Sequence, residues 1–165
     1  MLSENTKAPD FELEGSDGKR HNLSEFKGKY LVLYFYPKDN TPGCTIEAKK
    51  FNEKKDEIEK LGATVVGVSK DDLKSHDKFR SKFNLKFLLL SDPDSEMIKK
   101  YEAYGKKMTG FGTIRSTYII GKDGVILKAY PKVKPLVHTD EVIEYLKGLK
   151  NWKDNNQIFL YFYLI

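Results

Sequence analysis

The stretch "YLVLYFYPKDNTPGCTIEAKKF", residues 30–51, contains the features from which the fold of this chain can be predicted. Its first seven residues form a continuous apolar run rich in aromatic and branched side chains, which is typical of a strand buried on both faces of a sheet. Pro37 and the pair Pro42–Gly43 interrupt the chain, and polar residues with helical spacing follow from about Cys44 to Leu61. Cys44, the only cysteine, therefore lies where a strand gives way to a helix.

The segments on either side continue this alternation of strand and helix. Further buried strands are predicted at 63–69 and 86–92, hairpins at 10–23 and 115–130, and helices at 75–83, from 92 to about 104, and at 138–150. Ser75 and Asp92 are the expected caps of the first two of these helices. The glycine-rich segment "GKKMTGFGTI", 105–114, has no period and is predicted to be a loop.

The order of these elements predicts the fold class. Three strands joined by helices indicate right-handed parallel crossovers, and the closing strand–strand–helix unit adds antiparallel strands. We therefore expect an α/β protein with a thioredoxin-like fold, in which helices flank a mixed central sheet and a β-hairpin extends the N-terminus. We assign 1–150 to this domain and 151–165 to an apolar C-terminal tail. The last eight residues are all apolar, which is typical of an associating β segment and too short for a membrane span.

Composition restricts the classes of protein to consider. With 165 residues, 39% hydrophobic and 32% charged, the chain can bury one core without disulfides or a structural metal. The net charge is +5, but the lysines are spread along the chain, so we expect no nucleic-acid partner. A single cysteine excludes an intramolecular disulfide and indicates a reducing compartment. The polar N-terminus lacks the apolar core of a signal peptide, so we expect a cytoplasmic protein with no membrane partner.

The position of Cys44 favours reactivity over simple packing. In open α/β sheets, ligands bind just beyond the carboxyl ends of strands. The unpaired amides of a first helical turn stabilise a thiolate, which is the reactive form of cysteine. The Thr41 hydroxyl can lie beside the sulfur, Pro37 can shield the site, and Gly43 lets the backbone approach a small ligand. The alternative is that Cys44 is a small buried hydrophobic residue.

The motif around Cys44 resembles that of a known family. Pro37-x-x-x-Thr41-x-x-Cys44 resembles the active-site motif of the peroxiredoxins, and "FYPKDNTPGCT" followed two residues later by Glu-Ala is similar to their Q-type branch, also called the bacterioferritin comigratory protein type. The similarity covers about residues 7–150 and includes "VVGVSKDD", "LLSDPDSEM" and "IRSTYII". It implies a thiol peroxidase in which Cys44 attacks hydrogen peroxide or an organic hydroperoxide and Arg115 completes the pocket.

Physical chemistry supports the roles that the resemblance implies. When the thiolate attacks one peroxide oxygen, negative charge develops on the other. The Thr41 hydroxyl, the Arg115 guanidinium and the amides near Gly43 can stabilise that charge. Glu47 lies one helical turn after Cys44, and we expect it to pair with Arg115 and orient it. The alternative is a carboxylate that only favours the first turn of its helix.

The chain departs from the family at one position. Many Q-type members carry a second, resolving cysteine five residues after the first, and here that residue is Lys49. The chain thus resembles a 1-Cys peroxiredoxin, whose cysteine sulfenic acid must be reduced by an external thiol, either a thioredoxin-like protein or a small thiol. The resemblance implies no cofactor and no metal, and we expect a monomer or homodimer.

Other functions are less well supported by the residues. A disulfide reductase would need Cys-x-x-Cys, and a metal site would need clustered histidine and cysteine. A Cys–His hydrolase would need a histidine base near Cys44, whereas we expect His21, His76 and His138 on the surface. The alternative left open is a peroxide sensor or redox-regulated chaperone that uses the same cysteine.

Overall fold

A computed structural model of the chain describes residues 1–163, apart from the side chains of residues 155 and 158–161. The strands are β1 (Glu12–Gly15), β2 (Arg20–Asn22), β3 (Tyr30–Phe35), β4 (Ala63–Ser69), β5 (Leu88–Ser91), β6 (Tyr104–Lys107), β7 (Gly110–Thr113), β8 (Ser116–Ile120) and β9 (Ile126–Tyr130). The helices are α1 (Pro42–Glu53), α2 (Lys55–Lys60), α3 (Leu73–Phe83), α4 (Glu96–Lys100) and α5 (His138–Tyr163), with a short 3₁₀ turn at Leu23–Phe26.

Seven strands form one mixed sheet in the order β2-β1-β5-β4-β3-β8-β9. The neighbours β3, β4 and β5 pair in parallel, whereas β8 and β9 join the β3 edge antiparallel and the β1–β2 hairpin joins the β5 edge antiparallel. The predicted α/β class, the thioredoxin-like mixed sheet and the N-terminal hairpin are confirmed.

Strand β3 lies between β4 and β8 in the interior of the sheet and is buried on both faces, as its sequence predicts. Tyr34 and its alternate neighbours pack into one apolar cluster with Cys44, whereas Leu33 and its alternate neighbours pack into a second cluster on the opposite face. Because side chains alternate along a strand, a continuous apolar run supplies both clusters at once. The site at the end of β3 therefore rests on the most buried part of the protein.

The segment predicted to be a loop at 105–114 contains an antiparallel hairpin of β6 and β7 instead. Its three glycines and two lysines hide any apolar alternation, but the backbone pairs in register from Tyr104 with Thr113 to Lys107 with Gly110. The rings of Tyr104 and Phe111 stack across the pair with centroids 6.4 Å apart. The hairpin ends two residues before Arg115 and so leads the chain into the site.

Two of the predicted helix starts differ from the structure. Asp72, and not Ser75, caps α3: its carboxylate accepts a hydrogen bond from the Ser75 amide at 2.8 Å. Helix α4 begins at Glu96 and ends at Lys100, yet the Asp92 carboxylate still accepts a hydrogen bond from the Ile98 amide at 2.8 Å. The side chains expected to cap these helices therefore lie near the helix starts. The predicted start of each helix differs from the observed one by about one turn.

The C-terminal segment is helical, which corrects the expectation of a β segment there. Helix α5 continues past residue 150 to Tyr163, and the side chains of Trp152 and Phe162 are exposed. The end of the apolar tail, 164–165, lies outside the described residues. Within residues 1–163, no helix combines the length and the apolar character that crossing a bilayer requires.

Candidate active site

Cys44 is the third residue of α1 and is buried, with 1% of its surface exposed. Thr41 precedes the helix in an extended conformation, and Pro42 begins the helix, where its missing N–H leaves no intrahelical bond unmade. The sulfur thus sits in the first turn of α1, just beyond the carboxyl end of β3. This is the junction that the sequence predicts.

Strand pairing brings Arg115 to this junction. Phe35 at the end of β3 pairs with Ser116 at the start of β8, so the residue before β8 lies beside the first turn of α1. The guanidinium uses two nitrogens: Nη2 donates to the Cys44 sulfur at 3.3 Å, and Nη1 donates to the Glu47 carboxylate at 2.6 Å. Arginine can make both contacts because its donors form a rigid planar fork.

The charges at the site are buried together. Burial raises the pKa of Glu47 to about 7, although the charge and hydrogen bond of Arg115 act in the opposite direction. Burial alone would lower the pKa of Arg115, but Glu47 and then Cys44 outweigh it and raise that pKa. The guanidinium therefore stays charged beside the sulfur at all pH values where the protein functions.

The other predicted residues surround Cys44 without contacting the sulfur through a hydrogen bond. The Thr41 hydroxyl donates to the Lys38 carbonyl at 2.8 Å. Pro37 is half-buried at the end of the β3 strand. A Cβ atom on Gly43 would lie 3.0 Å from Arg115 Nη2 and 3.6 Å from Pro135 Cγ, so the absence of a side chain makes room for the guanidinium.

The prediction of surface histidines is wrong for two of the three, since His76 and His138 are fully buried and His21 is half-buried. His138 Nε2 lies 2.8 Å from the Thr117 hydroxyl. Burial, and to a smaller extent the Arg115 charge, lowers the pKa of His138 to about 4, so its ring is neutral at pH 7. Its ring nitrogen Nε2 is directed to Thr117 and makes no hydrogen bond to Cys44. No local signal marks this contact, because it joins residues more than twenty positions apart.

A cluster of two aspartates and a histidine lies close to the motif segment. Asp39, Asp71 and His76 place three potential ligand atoms within 4.8 Å of one another, a group of two aspartates and one histidine rather than the clustered histidine and cysteine that the sequence lacks. Both nitrogens of His76 already have partners, since Nδ1 lies 2.7 Å from the Asp39 carboxylate and Nε2 lies 2.9 Å from the Leu90 carbonyl. A ring engaged in this way offers no free lone pair to a metal. The absence of a metal from the mechanism stays a prediction.

Comparison with known proteins places these features in one family. The AhpC/TSA family matches residues 5–129. Peroxiredoxin Bcp of Bacillus subtilis is 44% identical over 147 residues, which cover 87% of this chain and 94% of that protein.

Solved structures agree with this result. Peroxiredoxin Q of Xanthomonas campestris is 39% identical, with a TM-score of 0.81 over 84% of this chain and 90% of that one. A cysteine-to-serine variant of the Xylella fastidiosa enzyme PrxQ is 36% identical, with a TM-score of 0.84 over 90% of this chain and 99% of that one. With its sole cysteine at the start of α1, the chain belongs to the AhpC/TSA family as a thiol-dependent peroxidase of the peroxiredoxin Q (bacterioferritin comigratory protein) branch, in its 1-Cys form.

Proposed function

We propose that Cys44 is the peroxidatic residue. Its thiolate attacks one oxygen of a hydroperoxide, the S–O bond forms as the O–O bond breaks, and the other oxygen leaves as hydroxide or alkoxide that takes up a proton. The cysteine becomes a sulfenic acid. The observation that carries this proposal is the 3.3 Å contact between Arg115 Nη2 and the sulfur, which places a fixed positive charge at the reacting atom.

Three further groups support the reacting pair in this proposal. The Glu47 carboxylate holds the guanidinium from behind, and Gly43 leaves space for it. The Thr41 hydroxyl already donates to a carbonyl, so we assign its oxygen the role of accepting a hydrogen bond from the hydroperoxide O–H. Pro37 covers the mouth of the site with an apolar ring.

Recycling requires a thiol from another molecule, because Lys49 stands where many relatives have a resolving cysteine. The first external thiol attacks the sulfenic acid, releasing water and forming a mixed disulfide, and a second thiol restores Cys44. We propose a thioredoxin-like protein or a small thiol as donor, and the cytoplasm as a compartment that keeps such thiols reduced. One structural study of the Xanthomonas campestris relative concerns its alkyl peroxide reduction, which supports organic hydroperoxides beside hydrogen peroxide as substrates.

A steady-state assay with several thiol donors tests this function. We expect the protein alone to consume one equivalent of peroxide and then stop, and to turn over many equivalents when a competent donor is added. Consumption that stops at one equivalent with every donor, a thioredoxin and a small thiol included, would favour a peroxide sensor or redox-regulated chaperone.

A further inference from the structure

The segment that carries Pro37 and Thr41 is held by a buried pair of Asp39, within the motif, and His76, which lies outside it. Asp39 and His76 have 6% and 0% of their surface exposed. His76 Nδ1 and an Asp39 carboxylate oxygen lie 2.7 Å apart. His76 comes from α3, whereas Asp39 lies between β3 and α1, so the pair connects the motif segment to a helix that contributes nothing else to the site.

The hydrogen bonds around the pair define its protonation. His76 Nε2 must carry a proton, because its partner at 2.9 Å is the Leu90 carbonyl, which can only accept. The Asp39 carboxylate accepts from the Tyr36 hydroxyl at 2.6 Å and from the Ser75 hydroxyl at 2.9 Å. The remaining contact, between His76 Nδ1 and an Asp39 carboxylate oxygen at 2.7 Å, together with a His76 pKa raised above its ordinary value, favours an Nδ1–H donor and hence an imidazolium.

Two routes lead from this pair to Cys44. Along the chain, Asp39 is followed by Asn40 in the left-handed conformation (φ 58°) and by Thr41 at the start of α1, so a shift of Asp39 moves the first turn of the helix. Through the core, the Tyr36 ring packs against the Tyr34 ring with centroids 5.4 Å apart. Tyr34 in turn shares the apolar cluster that contains Cys44.

We infer that Asp39 and His76 form a positioning pair for the peroxidase reaction, which fixes residues 36–41 and thereby sets the rate at which Cys44 reacts with peroxide. The inference rests on the proposed function of Cys44. A misplacement of about 1 Å at a reacting group can lower a rate by ~100-fold. Neither residue contacts the sulfur, so both act through the segment they hold.

The pair also gives the reaction a pH dependence with a defined sign. Burial alone would lower the pKa of His76, but the hydrogen bond and charge of Asp39, with smaller contributions from the Leu90 carbonyl and the Asp71 charge, raise it above its ordinary value. The imidazolium therefore persists at neutral pH and loses its proton only as the pH rises through that raised pKa. The titratable groups that face the ring are Asp39 and Asp71 from the loops after β3 and β4, and Tyr36 from the end of β3.

The test compares rates of Cys44 oxidation by stopped-flow mixing with hydrogen peroxide. Asp39→Asn and His76→Gln should each lower the second-order rate constant by about tenfold, within the range expected for a small displacement. The double variant should lose no more than the single variants, because each change removes the same interaction. Ser75→Ala removes the hydrogen bond from the Ser75 hydroxyl to Asp39 but keeps the Asp39–His76 pair, so it should lower the rate constant by a smaller factor. This variant provides the test if the other variants do not fold.

A pH series separates positioning from mere stability. The ratio of the wild-type rate to the His76→Gln rate should be highest near neutral pH and approach one in alkaline solution, since both proteins then lack the imidazolium. Tyr101→Phe is the matched control, because it removes a 2.6 Å hydrogen bond to the Pro9 carbonyl on the opposite face of the sheet and should leave the rate unchanged.

Wild-type rates in every folded variant, or a ratio that does not change with pH, would overturn the positioning role. A wild-type protein that does not react with peroxide would instead overturn the proposed function itself.

Discussion

At the residue scale, the Glu47 carboxylate combines nearly complete burial with an ion pair to Arg115 at 2.6 Å. Because the pKa of Glu47 rises from 4.5 to about 7 on folding, the folded protein binds more protons than the unfolded chain between those values. The free energy of unfolding should therefore fall as the pH rises through this window, by an amount on the order of 3 kcal/mol. Glu47→Gln removes the titrating group and should flatten that dependence. Urea unfolding of both proteins across the window measures it, and parallel pH profiles would contradict the prediction.

Arg115 makes a second prediction at this scale. Arg115→Lys keeps the positive charge but cannot contact both the Cys44 sulfur and the Glu47 carboxylate as the planar fork does. We expect the rate of Cys44 oxidation to fall by roughly tenfold or more, which corresponds to ~1.4 kcal/mol in the barrier. Stopped-flow oxidation with hydrogen peroxide gives the rate. Arg20→Lys, at an exposed position, is the control, and an unchanged rate in Arg115→Lys would place Arg115 outside the reaction.

Most of the residues predicted from the sequence at this site belong to the short motif around Cys44, and Arg115 is added by the resemblance to a known family. Thr41 and Glu47 each lie three residues, about one helical turn, from Cys44, so their spacing in the sequence already places them near it. A helix start at His76 and a helix cap at His138 favour surface positions, whereas in the folded chain the contacts with Asp39 and Thr117 hold both rings in the interior. Long-range contacts of this kind leave no periodic trace in a single sequence.

At the element scale, the first turn of α1 must lie close to Arg115. Gly43→Ala would place a Cβ atom 3.0 Å from Arg115 Nη2, and the flexible guanidinium would have to move away from the sulfur. Alanine favours a helix over glycine by up to ~1 kcal/mol, so we expect stability to stay the same or rise while oxidation slows several-fold. Thermal unfolding and stopped-flow oxidation measure the two effects.

Gly148→Ala is the matched control for that change. A Cβ atom at Gly148, in the middle of α5, would meet no atom within 4 Å. The same substitution should therefore raise helix stability without altering the oxidation rate. Equal rates in the two alanine variants would show that the space at Gly43 is not needed for catalysis.

The elements that the sequence predicts well are those with a strong apolar pattern. Strand β3 follows from its continuous apolar run, whereas the β6–β7 hairpin was missed because glycine and lysine dominate it. Its formation depends on backbone pairing and on the Tyr104–Phe111 stack, which only the folded chain brings together.

At the scale of the whole molecule, the alternation of strands and helices in the sequence predicts the mixed sheet. It does not predict the structure of the C-terminal segment. The apolar composition of 158–165 is compatible with a strand or a helix, and continuation of the preceding helix decides the outcome through Tyr163. Lys153 in this extension lies over the Tyr30 ring at 5.1 Å, so the helix contacts the domain shortly after residue 150.

We predict that the tail docks on its own domain or on a neighbouring subunit and takes no part in catalysis. Removal of its apolar end, residues 157–165, should leave the oxidation rate of Cys44 unchanged, because every residue assigned to the reaction lies before residue 120. Light scattering gives the molar mass: a lower mass would show that the tail assembles subunits, and an unchanged mass with lower solubility would show that it covers its own domain. A folded truncated protein of unchanged mass but without activity would refute the prediction.

Cys44→Ser tests most directly the claim that one cysteine performs the peroxidase reaction. The substitution replaces the thiol with a hydroxyl of similar size that does not ionise near neutral pH. Helix α1 and the Arg115–Glu47 pair should therefore remain in place. Peroxide consumption is measured for both proteins at saturating thiol donor. We expect the variant to keep less than roughly one per cent of the wild-type rate, in line with the loss of a nucleophile on which the whole reaction depends. A variant that keeps a tenth or more of the wild-type rate would contradict the assignment of Cys44.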